Sequence, residues 1–134
     1  MAFPPACPEI PVADLDAALV YYRERLGFTI DWADEELGLA GLSQGDCRLF
    51  MGSTVFRSQA PNKGPLLLWF NASNREEVDA IHASWLAAGA RIVSPPGDKP
   101  WKLREFFAED LDGNRLRVFY DFAWEEREAT AALG

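Results

Sequence analysis

The stretch 11-PVADLDAALVYYRERLGF-28 decides the fold of this chain, because it combines the end of a strand, a capped helix and the start of another strand. Asp14 suits the N-cap, since its side chain can accept a hydrogen bond from a backbone N–H of the first turn. Leu19 and Leu26 share one face of the helix, and Gly27 fits the left-handed position that ends many helices. The stretch therefore predicts a strand–helix–strand unit.

A second stretch, 73-SNREEVDAIHASWLAAGAR-91, has the same organisation. Ser73 and Glu76 have the spacing of a capping box, and Asn74 follows Asp14 by 60 residues. Apolar residues again recur at helical spacing, so that Trp85 is expected in the core. The helix is predicted to end at Gly89. We interpret the two stretches as an internal repeat.

Short apolar segments precede both helices, and alternating segments with Gly and Asx turn residues follow them. Each repeat therefore predicts a βαβββ module, which gives an α+β fold with a short C-terminal helix. The length of 134 residues fits one domain. We place module one at about 1–56, a linker at about 57–64, module two at about 65–122 and a tail at about 123–134.

The net charge of −8 argues against nucleic acid and anionic membranes as partners and favours cationic ligands. The sequence shows no signal peptide and no apolar stretch long enough to span a membrane, so a cytoplasmic location is expected. Cys7 and Cys47 are expected as reduced thiols, with a disulfide as the alternative.

Three segments carry a resemblance to a known family: the first stretch quoted above, 109-EDLDGNRLRVF-119, and 99-KPWKLREFF-107. The first two, in this order and at this distance, resemble motifs of the glyoxalase/bleomycin-resistance/extradiol-dioxygenase superfamily, also called vicinal oxygen chelate proteins. The third looks like a segment of the bleomycin-binding members. The resemblance implies cup-shaped mixed sheets and an intertwined homodimer with a ligand cleft at each end of the subunit interface.

The resemblance also implies where a metal would bind in the enzymes of the superfamily. The three ligand positions fall on Cys7, on Leu67 (or Pro65 or Leu66 if the register shifts) and on Arg117. None of these is a histidine or a carboxylate, and an arginine repels a metal ion. The only histidine, His82, is expected to be a solvated helix residue. We therefore expect no metal and no cofactor, although catalysis is not decided by this pattern.

Alternation along the strands predicts the lining of the cup, because every second side chain faces the same side. The predicted ligand-binding residues are Cys7, Glu9, Trp32, Phe50, Leu67, Trp69, Trp101, Arg117 and Phe119. By the resemblance, Trp69 and Trp101 match tryptophans near the drug in bleomycin-binding members. For each tryptophan a place in the core remains the alternative.

The function expected is metal-free sequestration of a small molecule, such as a bleomycin-like drug with planar aromatic groups and a positive charge. The first alternative is a divergent metal-dependent lyase, isomerase or dioxygenase of the same superfamily. A structural or regulatory module with an empty cup is the second.

Arg117 is unexpected in a cup that is meant to receive a cation. Either a carboxylate, Glu9 or Glu105, pairs with it, or the ligand carries an anionic group. We predict the pair, because a buried guanidinium without a counter-charge is costly.

Overall fold

The computed structural model describes residues 3–53, 64–125, 127 and 128. The elements along the chain are β1 (Glu9–Pro11), α1 (Leu15–Glu24), β2 (Thr29–Asp34), β3 (Leu39–Gln44), β4 (Cys47–Gly52), β5 (Leu67–Asn71), α2 (Arg75–Ala87), β6 (Arg91–Asp98), β7 (Leu103–Glu109) and β8 (Arg115–Asp121). A short C-terminal helical segment follows at 123–125 and 127–128. The predicted α+β fold of two βαβββ modules is confirmed. Nearly all of the predicted linker, and the tail beyond 128, lie outside the described residues.

The two modules have the same sheet topology. Each forms a four-stranded sheet, in the order β1-β4-β3-β2 and β5-β8-β7-β6. In each sheet the first two strands are parallel and the remaining pairs are antiparallel. The first strand of each module therefore lies beside its last strand, as a crossover through a helix allows.

Each sheet buries one face and leaves the other face open. In module one the buried side chains of Ile10, Leu42 and Met51 alternate with residues of the open face. In module two Phe106, Leu116 and Val118 are buried in the same way, and Trp85 of α2 packs edge-on against Phe106 with ring centroids 5.6 Å apart. Burying each such side chain contributes about 1.5–3 kcal/mol. The core position predicted for Trp85 is confirmed.

A β-bulge occurs at the same place in both modules. The ladder of β2 with β3 shifts between Ile30 and Trp32, and the ladder of β6 with β7 shifts between Ile92 and Ser94. The additional residue reverses the alternation, because residues i and i+2 no longer face the same side. As a result Trp32 lies on the open face although Ile30 pairs with Leu42 of the buried face.

Asp14 and Asn74 cap the two helices. Asp14 accepts a hydrogen bond from the Ala17 N–H at 3.1 Å, and Asn74 accepts one from the Glu77 N–H at 2.7 Å. The predicted capping box of Ser73 and Glu76 is wrong by one residue. Its place is taken by Glu77, whose carboxylate accepts a hydrogen bond from the Ser73 N–H at 3.0 Å. The shift occurs because Asn74 caps at least as well as serine.

The prediction of a solvated His82 also needs correction. Its side chain is partly buried, and its ring packs edge-on against Phe106 with centroids 5.2 Å apart. Helical spacing explains this contact, since His82 lies three residues before Trp85, which packs against the same phenylalanine.

The chain divides into two compact units, and the D-x-D-G-N turn groups with module one. One unit contains the described residues up to 66 together with 110–114, and the other contains 67–109 and the described residues from 115 onward. Within the first unit the buried Asp110 accepts hydrogen bonds from the Tyr22 hydroxyl at 2.8 Å and from the Asn114 side-chain amide at 2.8 Å. The same amide donates to the Pro11 carbonyl at 3.1 Å. Asp110 and Asn114, the two ends of this turn, are therefore buried and hydrogen-bonded to one another and to the first module.

Neither helix of the described part of the chain is long and apolar enough to cross a membrane.

Candidate ligand-binding faces

The open faces of the two sheets carry most of the predicted site residues, and each is best described as a row of side chains across four strands. In module one the register aligns Glu9, Phe50, Gly41 and Trp32. In module two it aligns Trp69, Arg117, Phe107 and Ser94. We call these the module-one row and the module-two row.

Arg117 is enclosed by the aromatic rings of the module-two row. Its guanidinium carbon lies 4.1 Å from the ring centroid of Trp69 and 4.5 Å from that of Phe107. These distances are well within the range of cation–π attraction. Trp69 in turn packs edge-on against Phe119, with centroids 5.3 Å apart. The face is therefore aromatic, with the guanidinium of Arg117 held among the rings.

Glu105 supplies the counter-charge, so the predicted pairing of Arg117 with a carboxylate is confirmed. The Nη2 atom of Arg117 donates to Oε1 of Glu105 at 3.3 Å, and Nε lies 3.2 Å from Oε2. The second contact is close enough for an ion pair but poorly aligned for a hydrogen bond. Within the described residues Nε and Oε2 consequently have no hydrogen-bonding partner. The Glu105 side chain is 1% exposed and that of Arg117 18%, which makes this a buried ion pair.

A second ion pair lies on the same face, one row away. Arg115 Nε is 3.2 Å from Oε1 of Glu109, and both side chains are more exposed than those of the buried pair. Leu67, which aligns with Arg115 across β5 and β8, is half-exposed. Leu67, Trp69, Arg117 and Phe119 are thus on one face, as predicted.

In module one the indole of Trp32 lies across β3 at Gly41. The rings of Trp32 and Phe50 are 5.9 Å apart and tilted, and Trp32 is 41% exposed. Glu9 shares this row, and its side chain has no hydrogen bond or ion pair among the residues that the structure describes. The predicted residues Glu9, Trp32 and Phe50 are therefore brought together on one sheet face.

Cys7 lies just before β1, and both cysteines are free thiols, as the sequence predicts. Burial raises the pKa of the Cys47 thiol, and the electrostatic influence of Cys7 raises it further. A raised pKa reduces the fraction of reactive thiolate at neutral pH. Cys47 is therefore a poor nucleophile.

Trp101 occupies the connection between β6 and β7, where the Lys102 N–H donates to the Lys99 carbonyl at 3.0 Å. Its side chain is 58% exposed, and it makes no ring contact with any other described residue. The structure thus places Trp101 on a hairpin tip, apart from the module-two row.

The positions at which the family resemblance implies metal ligands do not fit a metal. Leu67 offers no donor atom, and Arg117 brings a positive charge that Glu105 already compensates. Among the described residues no group of three His, Cys, Asp or Glu side chains comes together as a possible metal site. Arg117, at one of the positions implied for a ligand, is instead held by a carboxylate and two rings and offers no donor atom to a metal.

Sequence reasoning missed three residues of the two rows, Phe107, Ser94 and Gly41. Phe107 was missed because it directly follows Phe106. The two rings point to opposite faces of the strand, and the sequence alone does not show which of them faces the core. A glycine inside a strand does carry a signal, since it often marks a close approach of another group. That signal was available at Gly41.

Comparison with known proteins gives a consistent picture. Residues 6–118 match the sequence profile of the Glyoxalase/Bleomycin resistance protein/Dioxygenase superfamily. No curated protein matches the chain in sequence.

Three solved structures illustrate the similarity of fold. A glyoxalase/bleomycin resistance protein/dioxygenase from Nocardioides has 20% identity and a TM-score of 0.72, covering 90% of this chain and 85% of its own. Lactoylglutathione lyase from Agrobacterium tumefaciens has 21% identity and a TM-score of 0.71, with coverages of 90% and 98%. TioX from Micromonospora sp. ML1 has 25% identity and a TM-score of 0.66, with coverages of 87% and 95%.

Proposed function

The chain belongs to the glyoxalase/bleomycin resistance protein/dioxygenase superfamily, and within it we propose a metal-free binding protein that sequesters a planar aromatic small molecule, such as a bleomycin-like drug, in the cytoplasm. Each of the aromatic open faces described above offers a surface for such a ligand. We further propose that the active form is a homodimer, as the family resemblance implies, with the ligand cleft at the subunit interface.

The observation that carries this proposal is the environment of Arg117. The guanidinium takes the position implied for a metal-binding carboxylate, and it is held there by Glu105 and by the rings of Trp69 and Phe107. A cation fixed at this place supplies no metal ligand, while the half-exposed indole of Trp69 offers a surface for stacking. Binding is therefore better supported than Lewis-acid catalysis.

The first test is isothermal titration calorimetry of the purified protein with metal-free bleomycin. We expect saturable binding with one ligand per chain. Trp69→Ala should weaken the affinity by at least about 10-fold, because a stacked ring contributes on the order of 1.5 kcal/mol. Absence of heat up to tens of micromolar ligand would exclude bleomycin itself.

A matched pair of variants tests the contribution of the hairpin tip. Trp101 and Trp124 are both 58% exposed, so replacing either with alanine should leave the free energy of unfolding within about 0.5 kcal/mol of the wild type. We expect Trp101→Ala to weaken bleomycin binding and Trp124→Ala to leave it unchanged. Equal affinities for the two variants would remove Trp101 from the proposed site.

Metal analysis tests the alternative enzyme. About one tightly held Mn, Fe, Ni or Zn ion per chain, lost in Glu9→Gln or Glu105→Gln, would overturn the metal-free proposal. Light scattering in solution tests the dimer, for which we expect twice the mass of the 15.0 kDa chain.

A further inference from the structure

Gly41 lies under the indole of Trp32, and its lack of a side chain is required for this arrangement. A Cβ atom built on Gly41 would be 2.4 Å from Nε1 of Trp32 and 2.7 Å from Cε2. Real Cβ atoms essentially never approach other heavy atoms this closely. The backbone of Gly41 has no positive φ, so the indole, and not the backbone conformation, is what requires a glycine here.

The position of the indole follows from two features of the sheet. The bulge between Ile30 and Trp32 moves the tryptophan to the open face, and the absence of a Cβ on Gly41 lets the ring lie across the neighbouring strand. The ring therefore lies along the sheet, with Phe50 beside it and 41% of the residue exposed. This provides a flat apolar surface.

The charges of this face favour a cation on that surface. Glu9 lies in the same row, and its side chain has no hydrogen bond or ion pair within the described part of the chain. Asp34 follows Trp32 on the same face, where it accepts a hydrogen bond from the Leu37 N–H at 3.1 Å. Arg48 lies on the same face in the next row of β4, opposite Ser43. Glu9 and Asp34 thus place two carboxylates on the sheet face that carries the indole, with Glu9 at the far end of its row on β1.

We propose that Gly41 is a specificity-determining residue, which positions Trp32 as a platform for a planar aromatic cation whose charge is compensated by Glu9. This inference rests on the proposed function and adds to it the class of ligand group and the residue that selects it. The role of Gly41 is indirect, since it acts by fixing the orientation of the Trp32 ring.

The experiment compares two planar tricyclic probes at pH 7.5, 9-aminoacridine, which is a cation, and acridine, which is neutral. Affinities are measured from probe fluorescence. The wild type should bind the cation about 10-fold more tightly, and Glu9→Gln should remove this preference. Gly41→Ala should weaken binding of both probes by at least about 10-fold, since the added Cβ displaces the ring. Gly97→Ala is the control, because nothing lies closer than 3.9 Å to a Cβ at Gly97.

A double variant tests whether probe binding can be lost by removing the Trp32 platform while the stability of the fold is kept. Module two has serine (Ser94) where module one has Trp32, and phenylalanine (Phe107) where module one has Gly41. Trp32→Ser with Gly41→Phe copies this arrangement into module one and keeps one large and one small side chain in the row. We expect a melting temperature close to that of the wild type and the loss of probe binding.

The outcomes distinguish the inference from the proposed function. If wild type and Gly41→Ala bind the probes equally, or if the wild type does not prefer the cation, the inference is wrong while small-molecule binding stands. If the wild type binds neither probe, the inference is wrong, and the bleomycin titration decides the proposed function separately. If the double variant does not fold, Gly41→Ala compared with Gly97→Ala still decides the role of Gly41.

Discussion

The two sheets share the topology of their strands and the position of one bulge, yet their open faces differ in a systematic way. Module one places its large ring on the second strand, Trp32, next to the small Gly41 on the third. Module two places the small Ser94 on the second strand and the large Phe107 on the third. On the second and third strands of each row the repeat thus keeps one large and one small residue. The large ring lies on the second strand in module one and on the third strand in module two. Such volume-conserving exchanges are the ones that packed proteins tolerate best.

The last strands of the modules show the larger chemical difference. Phe50 of β4 and Arg117 of β8 hold equivalent places, each aligned with the first and third strands of its sheet. By the same alignment Glu105 corresponds to Leu39. Module two therefore contains a buried ion pair where module one contains two apolar side chains. The comparison shows that one topology accepts either two apolar side chains or an enclosed ion pair at these two places.

The largest expected effect concerns the turns between the third and fourth strands. Asp110→Ala removes the acceptor for the Tyr22 hydroxyl and the Asn114 side-chain amide, both of which are buried. Leaving two buried donors without that acceptor should cost about 4 kcal/mol in the free energy of unfolding, measured by urea denaturation. Asp46→Ala, in the exposed turn of module one, should cost less than about 0.5 kcal/mol. Similar losses for the two variants would contradict the structural role of the buried turn.

The second prediction breaks the ion pair that distinguishes the two faces. Glu105→Ala leaves the guanidinium of Arg117 without its buried counter-charge, and we expect a loss of about 3 kcal/mol in the free energy of unfolding, because the Arg117 side chain keeps 18% of its exposure. Glu105→Leu combined with Arg117→Phe gives module two the residues that module one has at the equivalent places. The double variant should be close to the wild type in stability, because an apolar pair needs no desolvation of charge. If it is as unstable as Glu105→Ala, the two faces are not interchangeable.

The third prediction compares Tyr22 with His82, which follows it by 60 residues in the repeat. Burial, followed by the influence of Asp110, raises the pKa of Tyr22 well above its ordinary value of 10.0. The folded state therefore keeps this proton when the unfolded state loses it, so the contribution to stability is complete below pH 10 and declines as the pH rises above it. Tyr22 should add a slope of about −1.4 kcal/mol per pH unit to the stability above pH 10.

Urea denaturation between pH 9 and pH 11 checks this slope. Tyr22→Phe should show a smaller decline than the wild type, whereas His82→Phe should show the same decline as the wild type. An unchanged slope in Tyr22→Phe would mean that the tyrosine does not govern alkaline unfolding.

The sequence predicted those parts of the molecule that depend on local patterns. Helical spacing, Asp14, Gly27 and the repeat were sufficient for the two βαβββ modules, and the distance from the D-G-N turn placed Arg117 on the correct face. The missed features depend on neighbouring strands. The β-bulge before Trp32 has no clear local signal, although Trp32 itself was expected on this face, and the rings around Arg117 become neighbours only through the register of β5, β7 and β8. The remaining predicted site residues stay predictions until a ligand is tested.

The smallest expected effect concerns a feature that both modules share. Asp14 and Asn74 each accept one hydrogen bond from the first turn of their helices, so replacement by alanine should cost about 1 kcal/mol in either module. Asp14→Asn should cost less than Asp14→Ala, because asparagine keeps the acceptor and loses only the favourable interaction of the charge with the helix dipole. Asn74→Asp should be neutral or slightly stabilising for the same reason. Urea denaturation of the four variants therefore measures whether the two halves of the repeat gain the same free energy from a contact that both of them use. That value is the baseline for the differences between the two faces.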